Sequence, residues 1–255
     1  MSNNILEVAD LTMRFGGLLA VNGVGLTIKQ GQIVSMIGPN GAGKTTVFNC
    51  LTGFYQPTAG KIIFAGEEIQ GLTGYKIARK GMIRTFQHVR LFKDMTVLEN
   101  LLVAQHQHLN NSLLAGLFKT RSYRKAEQEA LDNAVYWLKK VQLLDVANRE
   151  AGTLAYGPQR RLEIARCMVT RPTLLMLDEP AAGLNPSETD ALKQLINDLR
   201  DQHGLSVLLI EHDMKLVMDI SDHIVVINQG TPLASGTPEQ VRNNPAVIKA
   251  YLGEE

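Results

Sequence analysis

A phosphate-binding loop is predicted by the residue types and spacing of the run Gly38-Pro39-Asn40-Gly41-Ala42-Gly43-Lys44-Thr45, which satisfies G-x-x-x-x-G-K-[ST]. The apolar run Ile33–Ile37 before it predicts a strand, and the residues from Lys44 onward predict a helix. Glycines let the backbone curl so that successive N–H groups face one anion, and the helix dipole adds its positive end. Without these flanking elements the same letters could form a glycine-rich turn that binds nothing. In this context they predict a site for the phosphates of a nucleotide.

Each polar side chain at the end of this loop has an expected task. Lys44 is expected to reach the β- and γ-phosphates, and the Thr45 hydroxyl is expected to bind Mg²⁺, which prefers a few oxygen ligands together with phosphate and water. Thr46 is expected to add a hydrogen bond to phosphate. The residues Gly38 to Thr46 are therefore the candidate ATP contacts.

A second candidate site is the run Leu174-Leu175-Met176-Leu177-Asp178-Glu179-Pro180, which predicts a buried strand that ends in two carboxylates. Open α/β sheets bind ligands at the carboxyl ends of their strands. We expect Asp178 to hold Mg²⁺ through its water shell and Glu179 to polarise the water that attacks the γ-phosphate. The alternative is that both acidic residues only cap the next helix, and the upstream loop favours the catalytic interpretation.

The elements that must position these residues follow from apolar patterns along the chain. Four short runs with Gly-containing turns between them predict a strand-rich N-terminal layer: Ile5–Val8, Gly25–Ile28, Ile33–Ile37 and Ile62–Phe64. Three later apolar runs alternate with helical spacers and predict a largely parallel sheet: Leu174–Leu177, Ser206–Ile210 and Ile224–Ile227.

Between these two groups of strands the pattern becomes helical. From Asp94 to about Leu144, apolar residues recur every three or four positions, which predicts a helical insert. The apolar stretch Ser112–Phe118 within it is too short to span a bilayer. It is expected either to pack inside the insert or to dock on a membrane partner.

Charge and composition limit the function classes. Among 255 residues, 26 Lys and Arg oppose 25 Asp and Glu, so no global field favours nucleic acid or an anionic membrane surface. Cys50 and Cys167 stand apart in apolar stretches, which predicts reduced, buried thiols. Met1–Asp10 lacks a signal-peptide pattern and no window is apolar enough to span a membrane, so we expect membrane attachment only through partners.

Further elements, in this order and spacing, resemble the ABC transporter ATPases over nearly the whole chain. Leu154-Ala155-Tyr156-Gly157 resembles the ABC signature and leads into its helix, and Gln87 in Arg84-Thr85-Phe86-Gln87 resembles the Q-loop glutamine. His212 resembles the switch histidine, and Ala182–Asn185 occupies the D-loop position. Phe15 resembles the aromatic residue that stacks on adenine.

The resemblance implies an α/β fold of the P-loop NTPase, ABC ATPase type. This fold has a mostly parallel core sheet, an N-terminal antiparallel β layer and a helical subdomain. We expect a single domain over residues 1–255, in which approximately 1–93 and 171–255 form the core with the β layer. Residues 94–170 would form the helical subdomain and include the signature.

The resemblance also implies a mechanism in which two ATPase subunits close head to tail around two ATP molecules. Ala155, Tyr156 and Gly157 of one chain would face the γ-phosphate bound by the other, through backbone N–H groups at a helix start. Gln87 would contact Mg²⁺. The implied catalytic set is Lys44, Gln87, Glu179 and His212.

The signature departs from the commoner family pattern at three positions. Ala155 replaces a serine, Tyr156 replaces a glycine, and Pro158 replaces a glutamine. The first change removes one hydrogen bond to phosphate, whereas proline suits a first helical turn because that N–H is not used inside the helix. Asn185 replaces the usual D-loop aspartate and keeps its hydrogen-bonding capacity without its charge.

Within the family, four features resemble branched-chain amino acid importers: Arg84–Gln87, the signature variant, the insert after Asn100, and the ending Ala250–Gly253. This implies an ATP-hydrolysing motor with a second ATPase subunit, two membrane permease subunits and, indirectly, a solute-binding protein. The chain would be peripheral on the cytoplasmic face of the inner membrane. The alternatives are an ABC exporter ATPase and a non-transport ABC ATPase that acts on nucleic acid or the ribosome, although no nucleic-acid partner is expected.

Overall fold

The computed structural model describes residues 3–105 and 121–252, and the chain divides into two compact units. The first unit joins Met1–Gln87 to Thr173–Glu255, and the second is the intervening segment His88–Pro172. The apolar stretch at residues 112–118 lies outside the described residues.

The first unit contains an antiparallel sheet with the strand order β2-β1-β4-β5. Buried and exposed residues alternate along β2, where Val24, Leu26 and Ile28 are buried, as expected for a sheet with one covered face. The sheet confirms the predicted N-terminal antiparallel layer with one correction: Ile33–Ile37, predicted as part of this layer, belongs to the parallel sheet because it pairs with later strands of the chain. Its strands are β1 (Asn4–Phe15), β2 (Leu18–Lys29), β4 (Ala59–Phe64) and β5 (Glu67–Glu68).

The second sheet of this unit has the order β10-β9-β3-β8-β7-β6 and is parallel except for the antiparallel edge strand β10. All residues of β3, β7 and β8 are buried, which is why these strands read as continuous apolar runs. The predicted mostly parallel core sheet is confirmed. Its strands are β3 (Ile33–Ile37), β6 (Met82–Arg84), β7 (Leu174–Asp178), β8 (Ser206–Ile210), β9 (His223–Asn228) and β10 (Thr231–Gly236).

Six helices accompany these sheets: α1 (Lys44–Leu51), α2 (Gly74–Arg79), and, after the second unit, the four helices Pro186–His203, Met214–Ile220, Pro238–Arg242 and Pro245–Leu252. Phe48 and Leu51 of α1 belong to the same apolar core as Leu6 of β1 and Met36 of β3. The two sheets and α1 therefore share one core.

The second unit is helical, which confirms the predicted helical subdomain. It contains α3 (Val97–Ala104), α4 (Arg121–Lys140), two short 3-10 helices (Leu144–Val146 and Ala151–Thr153) and α5 (Tyr156–Met168). The later helices are thus α6 (Pro186–His203), α7 (Met214–Ile220), α8 (Pro238–Arg242) and α9 (Pro245–Leu252). Thr96 and Glu99 form a capping box that starts α3.

Two other expectations from the sequence can be compared with the structure. Cys50 and Cys167 are both free and buried, as predicted. In residues 3–105 and 121–252, no helix has both the length and the apolar character needed to cross a membrane.

Candidate functional site

The predicted phosphate-binding loop runs from the end of β3 at Ile37 to the start of α1 at Lys44. Gly43 has a φ of 97°, and a Cβ placed there would lie 2.8 Å from the carbonyl oxygen of Ala20. A Cβ at Gly38 would lie 2.1 Å from the carbonyl oxygen of Ile227. Both positions require glycine because neighbouring backbone approaches the loop closely. The first N–H groups of α1 have no partner within a helix and lie at the positive end of its dipole.

The Lys44 side chain is folded into this loop. Only 7% of the residue is exposed, and its Nζ donates hydrogen bonds to the carbonyl oxygens of Gly38 at 2.6 Å and Pro39 at 3.0 Å. Burial lowers the pKa of Lys44, while the carboxylates of Glu179 and Asp178 act in the opposite direction. The Lys44 Nζ is therefore held at the loop by two carbonyl oxygens and lies in the field of Glu179 and Asp178.

The other predicted nucleotide contacts surround the same loop. Thr45 is exposed on the first turn of α1, and Thr46 is half-buried. Phe15 ends β1, is 40% exposed, and packs edge-on against Tyr55 with ring centroids 5.1 Å apart. Tyr55 was not among the residues predicted from the sequence. Its only signal was a position four residues after α1, which does not distinguish a binding residue from a surface aromatic.

Asp178 ends β7 and is 3% exposed. Its Oδ2 accepts a hydrogen bond from Nη2 of Arg84 at 2.7 Å, and Arg84 Nη1 donates to Oδ1 of Asn49 at 2.7 Å. The Arg84 guanidinium also lies over the rings of Phe48 and Phe86, at 5.5 Å and 5.3 Å from their centroids. Arg84 thus links the predicted Mg²⁺ residue to α1. In the sequence, Arg84 stands out only as part of the Arg84–Gln87 motif, although a charged residue in a short strand is a usable signal.

Three predicted catalytic residues meet at the carboxyl ends of the strands. Glu179 Oε2 accepts a hydrogen bond from Nε2 of Gln87 at 3.0 Å, and Glu179 Oε1 lies 3.8 Å from Nδ1 of His212. Glu179 adopts a left-handed backbone conformation with φ 47°, and its N–H donates to the carbonyl oxygen of Ile210 at 2.9 Å. A non-glycine residue in that conformation is strained and has to be held by its surroundings. This arrangement can orient a water molecule beside Glu179.

The described residues fit an Mg²⁺ ion that arrives with a nucleotide. In the described part of the chain, no group of three or more His, Cys, Asp or Glu side chains is arranged to hold a metal ion. The predicted ligands are instead the Thr45 hydroxyl, the Gln87 amide oxygen and the Asp178 carboxylate. Mg²⁺ commonly takes one or two carboxylates together with phosphate oxygens and water, so this oxygen donor set is chemically suitable.

The signature residues lie in the second unit, where Ala155 is the N-cap of α5 and makes no side-chain cap hydrogen bond. Gly157 is buried, whereas Tyr156 is 40% exposed. The Tyr156 hydroxyl accepts a hydrogen bond from Nη2 of Arg160 at 3.0 Å, and Arg160 is paired with Glu163 at 3.0 Å. The unusual tyrosine is therefore anchored to the helix that it begins.

The D-loop departure at Asn185 also has a local role. Asn185 is the N-cap of α6; its Oδ1 accepts from the N–H of Glu188 at 3.0 Å, and the Glu188 carboxylate accepts from the N–H of Asn185 at 3.0 Å. This capping box satisfies two N–H groups that the helix leaves without partners. Asparagine thus performs the capping task that an aspartate could also perform.

Two family models match the chain. The model described as ABC transporter matches residues 21–182, and the model described as branched-chain amino acid ATP-binding cassette transporter matches residues 231–255. The first covers the phosphate-binding loop, the signature and the strand that ends at Asp178. The second begins with β10 and covers the C-terminal helices.

Individual proteins agree with these matches. The chain is 74% identical to the high-affinity branched-chain amino acid transport ATP-binding protein BraF of Pseudomonas aeruginosa and 66% identical to LivG of Escherichia coli K12, with all of each chain covered. A crystal structure of MJ1267, an ATP-binding cassette of an ABC transporter in its ADP conformation, is 32% identical. It superposes with a TM-score of 0.85 over 98% of this chain and 99% of that one.

Proposed function

The chain belongs to the ABC transporter family as an ATP-binding protein of the branched-chain amino acid group, and on this basis we propose which residues hydrolyse ATP and what that hydrolysis drives. ATP binds at Gly38–Thr46, and its hydrolysis powers the import of leucine, isoleucine or valine. The proposal rests mainly on the contacts of the Glu179 carboxylate. Its Oε2 accepts a hydrogen bond from Gln87 at 3.0 Å, and its Oε1 lies 3.8 Å from Nδ1 of His212.

Hydrolysis requires a water molecule in line with the γ-phosphate and a group that polarises it. Glu179 has this role because its carboxylate lies between the Gln87 amide and the His212 ring. Lys44 supplies positive charge at the β- and γ-phosphates, and the N terminus of α1 supplies backbone donors. Phe15 stacks on the adenine, with Tyr55 supporting it from the side.

Thr45, Gln87 and Asp178 would hold Mg²⁺ next to the phosphates. When bound, Mg²⁺ neutralises charge that develops on the phosphate oxygens. Arg84 donates to Oδ2 of the Asp178 carboxylate at 2.7 Å and so fixes the orientation of this carboxylate.

The partners follow from the family mechanism. A second ATPase subunit supplies the signature residues Ala155, Tyr156 and Gly157 to the nucleotide bound here, because one chain provides only half of each closed site. Two permease subunits hold the pair at the cytoplasmic face of the inner membrane, and a solute-binding protein delivers the amino acid. The solute never has to touch this chain.

The test is uptake of labelled leucine in cells that carry the intact partner genes and lack redundant carriers. We expect Glu179→Gln to abolish uptake although the complex still assembles, because the amide cannot polarise water as the carboxylate does. Glu239→Gln, at an exposed position of α8, is the matched control and should transport at the rate of the unmodified chain.

Unchanged leucine uptake in Glu179→Gln would reject the hypothesis that ATP hydrolysis by Glu179 drives leucine import. ATP hydrolysis measured on the same complexes then separates the two parts of the proposal. Normal hydrolysis in Glu179→Gln would remove this residue from the mechanism, whereas lost hydrolysis with normal leucine uptake would reject the solute.

A further inference from the structure

Glu211, which directly follows β8, is a buried carboxylate that the proposed mechanism does not use. The residue is 1% exposed. Its Oε1 accepts a hydrogen bond from the N–H of Ala181 at 2.7 Å, and its Oε2 accepts from the N–H groups of His212 at 3.1 Å and Asp213 at 3.4 Å. The two oxygens thus bind two different segments of the chain.

Burial of the Glu211 carboxylate would destabilise the fold if these hydrogen bonds were not made. Burial raises the pKa of its carboxyl group, and the N–H groups of Ala181, His212 and Asp213 oppose that shift. Buried charged groups are tolerated when hydrogen bonds compensate for lost solvation. Both carboxylate oxygens of Glu211 accept such bonds, which compensate for its burial.

The first segment that Glu211 binds carries Glu179. The chain leaves β7 at Asp178 and turns sharply, and the N–H of Ala182 donates to the carbonyl oxygen of Glu179 at 3.2 Å. Glu211 contacts this turn at Ala181. It therefore stabilises the turn that keeps Glu179 in its left-handed conformation.

The second segment carries His212 and leads into α7. The Asp213 side chain caps that helix by accepting from the N–H groups of Lys215 at 2.9 Å and Leu216 at 3.2 Å. Glu211 holds the backbone N–H groups of His212 and Asp213 immediately before this cap. Glu211 therefore holds the backbone of the residue that carries the imidazole ring.

We propose that Glu211 is a positioning residue that fixes the segment bearing Glu179 against the segment bearing His212, and so sets the 3.8 Å separation of their side chains. The proposal rests on the function proposed above for those two residues. Glutamine has one acceptor oxygen and one NH₂ group, so Glu211→Gln can keep the bond to Ala181 or the bonds to His212 and Asp213, but not both sets.

The experiment compares Glu211→Gln with the unmodified chain, each assembled with its partner subunits, by hydrogen exchange and by ATP hydrolysis. We expect at least about ten-fold faster exchange in the peptide around Ala181 or in the peptide around His212, with other peptides of the same unit unchanged. We expect kcat to fall at least about ten-fold while KM for ATP stays within about two-fold, since the phosphate-binding loop is untouched. Glu239→Gln is the control for the chemical change.

A second variant distinguishes the loss of specific hydrogen bonds from general misfolding. Glu211→Asp keeps two acceptors on a shorter side chain, so it should retain the nearby bonds to His212 and Asp213 and release Ala181. We expect faster exchange only around Ala181 and a kcat between those of the unmodified chain and Glu211→Gln. An exchange pattern and a kcat that stay unchanged in both variants would overturn the proposal.

Two further outcomes would also overturn it. Faster exchange throughout the unit, together with a lower kcat and a higher KM for ATP, would mean that Glu211 only stabilises the fold. Faster exchange at Ala181 or His212 with normal kcat would mean that the two segments need not be fixed for hydrolysis. Glu179→Gln measured in parallel separates these outcomes from a failure of the proposed function, because its effect does not depend on Glu211.

Discussion

At the scale of single residues, Arg84 and Asp178 form a buried ion pair beside the phosphate-binding loop. Their side chains are 7% and 5% exposed and meet at 2.7 Å. Replacing a whole buried pair can be neutral, whereas removal of one partner leaves an uncompensated charge and typically costs about 3–5 kcal/mol. Arg84 also binds Asn49 of α1. The planar guanidinium donates to the two partners from separate nitrogens in a fixed geometry, whereas an ammonium is a single point charge with rotatable donors.

We predict that Arg84→Met destabilises the fold by about 3 kcal/mol and weakens ATP binding more strongly with Mg²⁺ than with EDTA, because the Asp178 carboxylate loses its fixed orientation. Arg84→Lys should have an intermediate effect. Urea unfolding and a fluorescent ATP analogue measure the two quantities, and Arg79→Met, at an exposed site of α2, is the control. Equal weakening of binding with and without Mg²⁺ would contradict a role at the metal site.

At the scale of elements, the start of α5 has no side-chain cap, but its first residue is held by a hydrogen bond to the next turn. Ala155 offers no side-chain acceptor, and Pro158 lacks the N–H that an N-cap side chain often binds at the third helical position. The N–H of Gly157 is the remaining target for a cap. The Tyr156–Arg160 hydrogen bond partly compensates by holding the first residue of the helix.

We predict that Ala155→Ser stabilises the chain by about 0.5–1 kcal/mol, because serine is a preferred N-cap and its oxygen can accept from Gly157. ATP hydrolysis should be unchanged or mildly faster, since the hydroxyl adds a donor for phosphate. Urea unfolding and steady-state hydrolysis measure both effects, with Ala155→Val as the comparison that has no acceptor. Complete inactivation by Ala155→Ser would reject our interpretation of this helix start.

At the scale of the whole molecule, the proposed nucleotide site lies in a unit built from both ends of the chain. Met1–Gln87 supplies the phosphate-binding loop and Thr173–Glu255 supplies Asp178, Glu179 and His212. A ligand that contacts both segments stabilises them together. Ligand at one hundred times its Kd stabilises a folded protein by about 2.7 kcal/mol.

We predict that saturating Mg²⁺ and ATP raise the Tm of the unmodified chain, whereas Lys44→Ala shows no rise at the same concentration. The substitution deletes the charge that faces the phosphates, and charge-assisted contacts of this kind are strong. Thermal unfolding with and without nucleotide measures the effect, with Lys76→Ala in α2 as an exposed control. Unchanged ATP affinity in Lys44→Ala would contradict its assignment.

The sequence alone determined the elements whose signals are local. The strands β3, β7 and β8 were predicted nearly to their bounds because each is buried on both faces and reads as an uninterrupted apolar run. The loop Gly38–Thr45 was predicted because it satisfies G-x-x-x-x-G-K-[ST] and follows an apolar run. The structure adds that backbone approaches closely at Gly38 and Gly43. The family was identified from the order of such motifs, and the comparisons confirm it.

Only the tertiary structure decided which distant side chains meet. Arg84 and Asp178 are 94 positions apart, and Ala181 and Glu211 are 30 apart. These contacts exist because β6, β7 and β8 are neighbours in the sheet, and no local pattern specifies that order. The chain's own periodicity fixes which face of a strand is buried. The choice of partner for a buried charge depends on the packing of whole strands, which is a property of the folded molecule.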